Sequence, residues 1–215
     1  MTTTAIDGDV STEDDRASGA GTIGSGRGLA WLLVITGALG ILASWVITLD
    51  KIELLKDPNF KPACSLNPII SCGNVMKSWQ AEVFGFQNPV AGLVAFGAVV
   101  AIGMGLVAGA RYRRWFWIGL NIGTLLGTVF CMWLMSQSLY VINSLCLWCT
   151  LTWCVTILMF WYTTVHNIKH RIIPCPEGLR RNVLEFHWVV PVLWYGVITL
   201  LILTKWWSTY WSTLL

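Results

Sequence analysis

The sequence predicts an all-α integral membrane protein, with a four-helix transmembrane bundle and a fifth transmembrane helix. Of its 215 residues, 55% are hydrophobic and only 12% are charged, and the mean hydropathy is +0.64. Soluble globular domains carry about twice that share of charged residues. The uncharged runs also match a hydrocarbon core of about 30 Å, which roughly 20 helical residues cross. Composition and run length therefore agree on the fold class.

Four of the predicted spans lie in the first three quarters of the chain. Residues 29–49 and 89–110 contain no Asp, Glu, Lys or Arg, and each run is long enough to cross once. The run 115–165 is also uncharged, but at about 1.5 Å per residue it is far too long for one crossing. It must turn back within the polar residues around Asn143. The two resulting helices are expected at about 115–138 and 144–165.

The fifth predicted span, residues 188–204, is shorter, and Pro191 near its start is tolerated in the first helical turn. The chain then divides into four parts. These are a tail at 1–28, a bundle at 29–165 with an outer loop at 50–88, a loop at 166–187, and the fifth helix with an external C-terminus at 188–215.

Basic residues in two of the connecting loops predict the orientation. They are Arg111, Arg113, Arg114, Lys169, Arg171, Arg180 and Arg181. Because cytoplasmic loops carry an excess of Lys and Arg, these loops and the N-terminus are expected on the cytoplasmic side. The tail 1–28 is rich in Thr, Gly, Ser and Asp without periodicity, which predicts a disordered cytoplasmic segment. It has no basic region typical of a signal peptide, so the first helix is expected to remain as an anchor.

This topology places four of the seven cysteines on the outer, oxidising side of the membrane. Cys64 and Cys72 lie in the outer loop, and Cys146 and Cys149 open the fourth helix. The loop pair is close enough in sequence to close a small ring and to pass a disulfide by thiol exchange. Two neighbouring dithiols predict an electron relay.

The segment CLWC, residues 146–149, has the spacing of a redox-active pair. Two cysteines three residues apart on a helix share a face and form a short, reducible disulfide. If Ser144 or Asn143 caps the helix, Cys146 lies in the first turn, where free N–H groups favour a thiolate. Trp153 lies on the same face.

Such a relay needs a thiol donor and an electron acceptor. The loop pair faces water, so the donor is expected to be a soluble thiol protein. The CLWC pair opens onto a helix bundle, where ligand sites lie between facing helices. A lipid-soluble quinone fits this place as a two-electron acceptor.

The segment CSLNPIISCGNVMKSWQAEVFGFQNPVAGL, residues 64–93, together with the later CLWC, resembles the vitamin K epoxide reductase family. The resemblance covers about residues 29–165 and points to bacterial members, in particular those of actinobacteria. It implies a four-helix bundle around a quinone. The bundle would be capped by the loop 50–88, with a short helix lying on the membrane surface.

The resemblance also implies a role for each of the four cysteines. Cys149 would face the quinone, and Cys146 would be its partner that exchanges with Cys72. Cys64 would meet the external thiol protein.

Three further residues receive roles in the same way. Asn88 would hydrogen-bond a quinone carbonyl, and Ser78 would help to hold the loop. Trp153 stands where vertebrate members carry a tyrosine, and its indole N–H is a donor only. Taken without the resemblance, Asn88 is an ordinary helix cap and Ser78 an ordinary polar loop residue.

The implied function is that of a membrane thiol oxidoreductase in the plasma membrane, with its active site on the extracytoplasmic face. No thioredoxin-like domain is fused to the chain, so a separate DsbA-like thioredoxin-fold partner is implied. Electrons from this partner would pass to a membrane quinone, and disulfide formation in secreted proteins would continue. Actinobacteria generally use menaquinone, which favours it over ubiquinone.

Other interpretations of the cysteines remain open at this stage. CLWC alone is compatible with simple packing, and Cys64 with Cys72 alone with a structural disulfide. The alternative function is a metal-binding membrane protein in which four thiolates hold zinc or copper. A transporter is disfavoured because no charged residue lies inside the first four predicted spans. No nucleotide fingerprint is present, and no nucleic acid partner is expected.

Overall fold

The computed structural model describes residues 21–57, 59–65 and 69–207. Most of the predicted N-terminal tail, residues 1–20, and the predicted external C-terminus, residues 208–215, lie outside the described residues. The helices are α1 (Arg27–Lys56), α2 (Cys72–Lys77), α3 (Asn88–Val107), α4 (Arg114–Gln137), α5 (Leu147–Lys169), α6 (Glu177–Glu185) and α7 (Val189–Trp206). A 3₁₀ turn (Trp79–Glu82), a π turn (Ser138–Ile142) and two short strands, β1 (Thr22–Ile23) and β2 (Tyr112–Arg113), complete the described elements.

Five of these helices are long and apolar enough to cross a membrane. They are α1, α3, α4 with its π turn, α5 and α7. The predicted class, an all-α multi-pass membrane protein, is therefore confirmed.

The first helix is longer than the sequence predicted. It runs to Lys56 instead of ending near residue 49, so the outer loop predicted at 50–88 begins later. The prediction ended the helix where charged residues begin, but charges only mark the end of the apolar run. Lys56 pairs with Glu53 one turn back at 2.7 Å, a spacing that supports a helix extending beyond the apolar core.

Close packing between α1 and α3 forms the centre of the bundle. A Cβ atom added at Gly40 of α1 would lie 2.5 Å from the ring of Phe96 on α3. Small residues allow transmembrane helices to approach in this way. Helix α5 packs against α1 and α4, and the shared core contains Leu33, Trp117 and Met159.

The part of the N-terminal tail that the structure describes is ordered against the bundle, which corrects the prediction of disorder for residues 21–28. Strand β1 pairs antiparallel with β2, with Ile23 opposite Tyr112. The indole of Trp117 donates a hydrogen bond to the Ile23 carbonyl at 3.0 Å. Two-residue strands leave no periodic pattern for sequence analysis to detect.

Because successive spans alternate in direction, the helix ends separate into two groups. The C-terminal end of α1 and the start of α5 lie at the end that carries Cys64, Cys72, Cys146 and Cys149. The opposite end carries the basic residues that follow α3 and α5. The bundle thus has one cysteine-rich end and one basic end.

The last helix, α7, is fastened to α5 at three levels. The Trp161 indole donates to the His187 carbonyl at 2.6 Å just before α7 begins. In mid-helix, the Tyr195 hydroxyl donates to the Cys154 carbonyl at 2.7 Å. At the cysteine-rich end, Trp206 is buried in a cluster that includes Trp153 of α5.

Candidate active site

The four cysteines predicted to act together lie in one packed cluster. Cys64 and Cys72 are joined by a disulfide with a Cα to Cα distance of 5.8 Å, while Cys146 and Cys149 are thiols. Cys72 and Cys146 are almost fully buried in this cluster, and Cys149 packs against it. Cys64, with 7% of its surface exposed, is more accessible than Cys72. The arrangement places a formed disulfide beside a dithiol.

A short parallel bridge aligns the two cysteine-bearing segments. The Leu145 N–H donates to the Ile69 carbonyl at 2.7 Å, and the Ser71 N–H donates to the Leu145 carbonyl at 2.9 Å. Cys146 directly follows Leu145, and Cys72 directly follows Ser71. The backbone therefore brings both cysteines to the same level of the bundle.

Side chains reinforce this alignment. The Asn74 amide in α2 donates to the Ser144 hydroxyl at 3.0 Å. The Ser138 hydroxyl in the π turn donates to the Ser144 carbonyl. Residue 144 therefore connects α2 with the end of the α4 span.

Helix α5 begins at a different residue from the one predicted. Its N-cap is Cys146 itself, whose sulfur accepts from the Cys149 N–H at 3.4 Å, and neither Asn143 nor Ser144 caps the helix. Asn143 instead adopts a left-handed conformation, φ 53°, which Asn tolerates better than most residues. The Ser144 hydroxyl instead accepts a hydrogen bond from the Asn74 amide.

This start determines the acidity of Cys146. A hydrogen bond from the Cys149 thiol, aided by the N–H groups of Cys149 and Trp148, lowers the pKa of the Cys146 thiol, although burial opposes the shift. Free N–H groups at a helix N-terminus have this effect on cysteines in general. The Cys146 thiol is therefore more acidic than an ordinary cysteine thiol.

Lys51 of α1 holds the C-terminal end of α2. Its ammonium donates to the Met76 carbonyl at 2.6 Å, near the C-terminal end of α2, and pairs with Glu82 at 3.0 Å. Only 11% of the Lys51 side chain is exposed. A cation at this end of a helix also meets the negative end of its dipole.

A cavity of about 740 Å³ lies between α1, α3, α4 and α5, beneath the 3₁₀ turn. Its walls are mainly aliphatic and aromatic, with few polar groups. Of the seven predicted site residues, Cys149, Trp153, Asn88 and Ser78 line it. The other three, Cys64, Cys72 and Cys146, lie in the adjoining cluster. Cys149 is the cysteine that belongs to both places.

Asn88 uses its amide to hold the roof of this cavity. One side-chain N–H donates to the Gln80 backbone carbonyl at 2.7 Å. The side-chain oxygen, Oδ1, accepts from the Val83 N–H at 3.1 Å. Asn88 is the first residue of α3, and Gln87 is the N-cap, so the helix-cap interpretation of Asn88 is wrong. Asn88 lines the cavity, and its amide carries a second N–H that is a further donor.

The family model described as "Vitamin K epoxide reductase family" matches residues 31–164. The chain belongs to the vitamin K epoxide reductase family. No curated protein matches the chain. The match ends within α5, so α6 and α7 lie outside it.

Membership in the vitamin K epoxide reductase family makes the protein an oxidoreductase of the membrane. The family indicates thiol–disulfide chemistry with a quinone, and the close cysteine pair agrees with the first of these. The cavity suits the second, because ligand pockets typically occupy about 300–1,000 Å³ and are mostly apolar. A quinone, which has a flat ring and a long lipid tail, fits a lining of this kind.

The geometry of the cluster does not support the metal-binding alternative. Cys64 and Cys72 are bonded to each other, so the cluster does not present four thiolates. In the part of the chain that the structure describes, no three His, Cys, Asp or Glu side chains are grouped as metal ligands.

Several residues of this vitamin K epoxide reductase-like site escaped sequence analysis. Ser78 is not one of them, because it was predicted to hold the loop, and its hydroxyl donates to the Val75 carbonyl at 2.7 Å. Gln80 was missed, although it is buried and its amide donates to Gln137 at 3.3 Å. Lys51 and Asn74 were missed too. A single polar residue near the end of a helix or in a turn gives no signal of its own, because its partner is distant in sequence.

Proposed function

We propose that the protein oxidises the dithiol of an extracytoplasmic, DsbA-like thioredoxin-fold partner and passes the electrons to a membrane quinone. The carrying observation is that one packed cluster contains both cysteine pairs and that Cys149 also lines the apolar cavity. Disulfide formation in secreted proteins would depend on this activity.

The proposed relay begins at Cys64. A thiolate of the partner attacks the Cys64 sulfur and releases Cys72 as a thiolate, and the second partner thiol then completes the partner's own disulfide and frees Cys64. The greater exposure of Cys64 supports this order, because Cys72 is fully buried. Two electrons and two protons thereby reach the loop pair.

The second exchange passes these electrons to the helix pair. When Cys146 and Cys149 are disulfide-bonded, the Cys72 thiolate attacks the Cys146 sulfur and Cys149 leaves as a thiolate. Cys64 then attacks Cys72, which restores the loop disulfide and leaves Cys146 and Cys149 reduced. The lowered pKa of Cys146 supports its ready release in this step.

The quinone accepts two electrons and two protons from this dithiol and leaves as the quinol. Cys149 faces it, the second N–H of Asn88 is proposed as the donor to a quinone carbonyl, and Trp153 forms part of the wall. Ser78 supports the roof through Val75. Menaquinone is proposed over ubiquinone on the resemblance to actinobacterial members.

The orientation is part of the same proposal. The N-terminus and the basic end face the cytoplasm, and the cysteine-rich end faces the outside of the plasma membrane. Cationic residues after α3 and α5 support this by the positive-inside tendency. The catalytic unit is the bundle at 29–165, to which the segment 188–215 adds the fifth helix.

The test is an anaerobic assay of the purified chain in detergent, with a reduced thioredoxin-fold donor and quinone absorbance as the readout. We expect donor-dependent quinone reduction that is lost in Cys149→Ala. Cys64→Ala should lose the protein donor but keep activity with a small dithiol. No turnover with any quinone, together with bound metal that these substitutions release, would refute the proposal and favour the metal-binding alternative.

A further inference from the structure

The fifth helix reaches the active site although it lies outside the family match. Trp206, at the end of α7, has only 5% of its surface exposed. It belongs to a packed cluster with Leu139, Leu145 and Trp153. A residue near the end of a peripheral transmembrane helix normally faces lipid or headgroups, so this burial calls for an explanation.

The cluster around Trp206 contains both sides of the bridge that aligns the cysteines. Leu145 is buried in it, and Ile69 packs against it. These two residues share the hydrogen bond of 2.7 Å between the Leu145 N–H and the Ile69 carbonyl. Trp206 therefore packs in the cluster that supports both segments of the bridge, and these segments lead directly to Cys72 and Cys146.

A second contact of α7 reaches the same region. The Lys205 ammonium lies 5.5 Å from the centre of the Tyr140 ring in the π turn. Ser138, in the same turn, binds residue 144 through its hydroxyl and its carbonyl. Two consecutive residues at the end of α7, Lys205 and Trp206, thus pack near the segment that leads into Cys146.

We propose that Trp206 is a positioning residue for disulfide exchange between Cys72 and Cys146. It acts by holding the Ile69–Leu145 bridge in register, and it touches neither the exchanging sulfurs nor the quinone in this role. The exchange itself rests on the proposed function, whereas the alignment of the two cysteines can be measured without partner or quinone.

The measurement uses the full chain with Cys64→Ala and Cys149→Ala, which leaves Cys72 and Cys146 to pair. In a glutathione buffer, oxidised glutathione is reduced to two thiols as the Cys72–Cys146 disulfide forms, and the equilibrium constant reports how well the two sulfurs are placed. We expect Trp206→Ala to lower this constant about tenfold, the scale of coupling between packed neighbours. Trp206→Phe, which keeps most of the apolar contact, should recover most of it.

The chain supplies a matched control in the next residue. Trp207 has the same side chain but is 52% exposed, and Trp207→Ala should leave the constant within about twofold. A second control measures the Cys64–Cys72 pair in a chain with Cys146→Ala and Cys149→Ala. Trp206→Ala should leave that pair unchanged, because its register does not depend on the bridge.

Equal constants for Trp206→Ala and Trp207→Ala would overturn the inference, as would an equal loss in both cysteine pairs, which indicates general destabilisation. A parent chain that forms no Cys72–Cys146 disulfide would overturn it too. The quinone assay separates the two proposals. Wild-type turnover with equal constants refutes the role of Trp206 alone, and absent turnover with the expected constants refutes the proposed function alone.

Discussion

The two cysteine pairs differ in what supports them. Cys64 and Cys72 lie in a connecting segment that contains the six-residue helix α2, and residues outside it, such as Lys51 and Ser144, hold that segment in place. Cys146 and Cys149 begin a helix of 23 residues that spans the bundle, and their own backbone positions them. One pair is placed by tertiary contacts and the other by secondary structure. A relay uses this difference, because the loop pair must meet both the external partner and Cys146, while the helix pair stays beside the cavity.

The largest effect is expected when Cys146, the buried thiol of the helix pair, is removed. Cys146→Ala should lower quinone reduction by about a thousandfold or more, as loss of a covalent relay residue does in other enzymes. Cys131→Ala is the control, since Cys131 is also a buried thiol and lines the cavity. It should keep most of the activity in the same assay. Equal losses would mean that packing, and not thiol chemistry, explains the effect.

The support of the loop pair can be tested at Lys51. Lys51→Met leaves the Met76 carbonyl and Glu82 without their partner and should cost about 1–3 kcal/mol of unfolding free energy. Lys56→Met removes the ion pair with Glu53, in which both side chains are more than half exposed, and should cost less than about 0.5 kcal/mol. Denaturant titration in mixed micelles measures both. A similar cost for the two variants would contradict the assigned role of Lys51.

A double-mutant cycle measures the contact between α2 and the segment that precedes α5. Asn74→Ala and Ser144→Ala remove the two partners of the 3.0 Å hydrogen bond. We expect a coupling energy of about 0.5–1.5 kcal/mol in the glutathione equilibrium of the Cys72–Cys146 disulfide. Additive effects would show that the bond does not align the pairs.

The smallest expected effect concerns pH. Because the folded protein lowers the pKa of Cys146, it carries the thiolate at pH values where the unfolded chain still binds the proton. The reduced protein should therefore gain stability as pH rises from the lowered pKa towards the ordinary value of 9.0, and lose it as pH falls. The measurement is the difference in unfolding free energy between wild type and Cys146→Ala across this range. A difference that does not change with pH would contradict the assignment.

The spans and the convergence of four cysteines were predictable because they depend on local composition and spacing. The uncharged runs mark α1, α3, α4, α5 and α7, and the position of both cysteine pairs at the same end of the bundle follows from counting crossings. A membrane restricts the possible structures so strongly that hydropathy alone predicts most of the fold.

The details of the site were not predictable for a physical reason. Cys146 caps its own helix, a role that sequence patterns assign to Ser, Thr, Asp or Asn. The amide of Asn88 is engaged by Gln80 and Val83, whose backbone groups have no sequence signature. Trp206 lies on the fifth helix, which the resemblance at about 29–165 does not cover. The cap at Cys146 is local but uses an unusual residue, whereas the contacts of Asn88 and Trp206 form only in the folded chain.

The central claim is that Cys72 of the loop pair exchanges with Cys146 of the helix pair. Mass spectrometry of non-reduced peptides from the oxidised chain with Cys64→Ala and Cys149→Ala tests it most directly. The account predicts a disulfide between Cys72 and Cys146. Recovery of Cys146 as a free thiol or joined to Cys131, with Cys72 also unpaired, would contradict it.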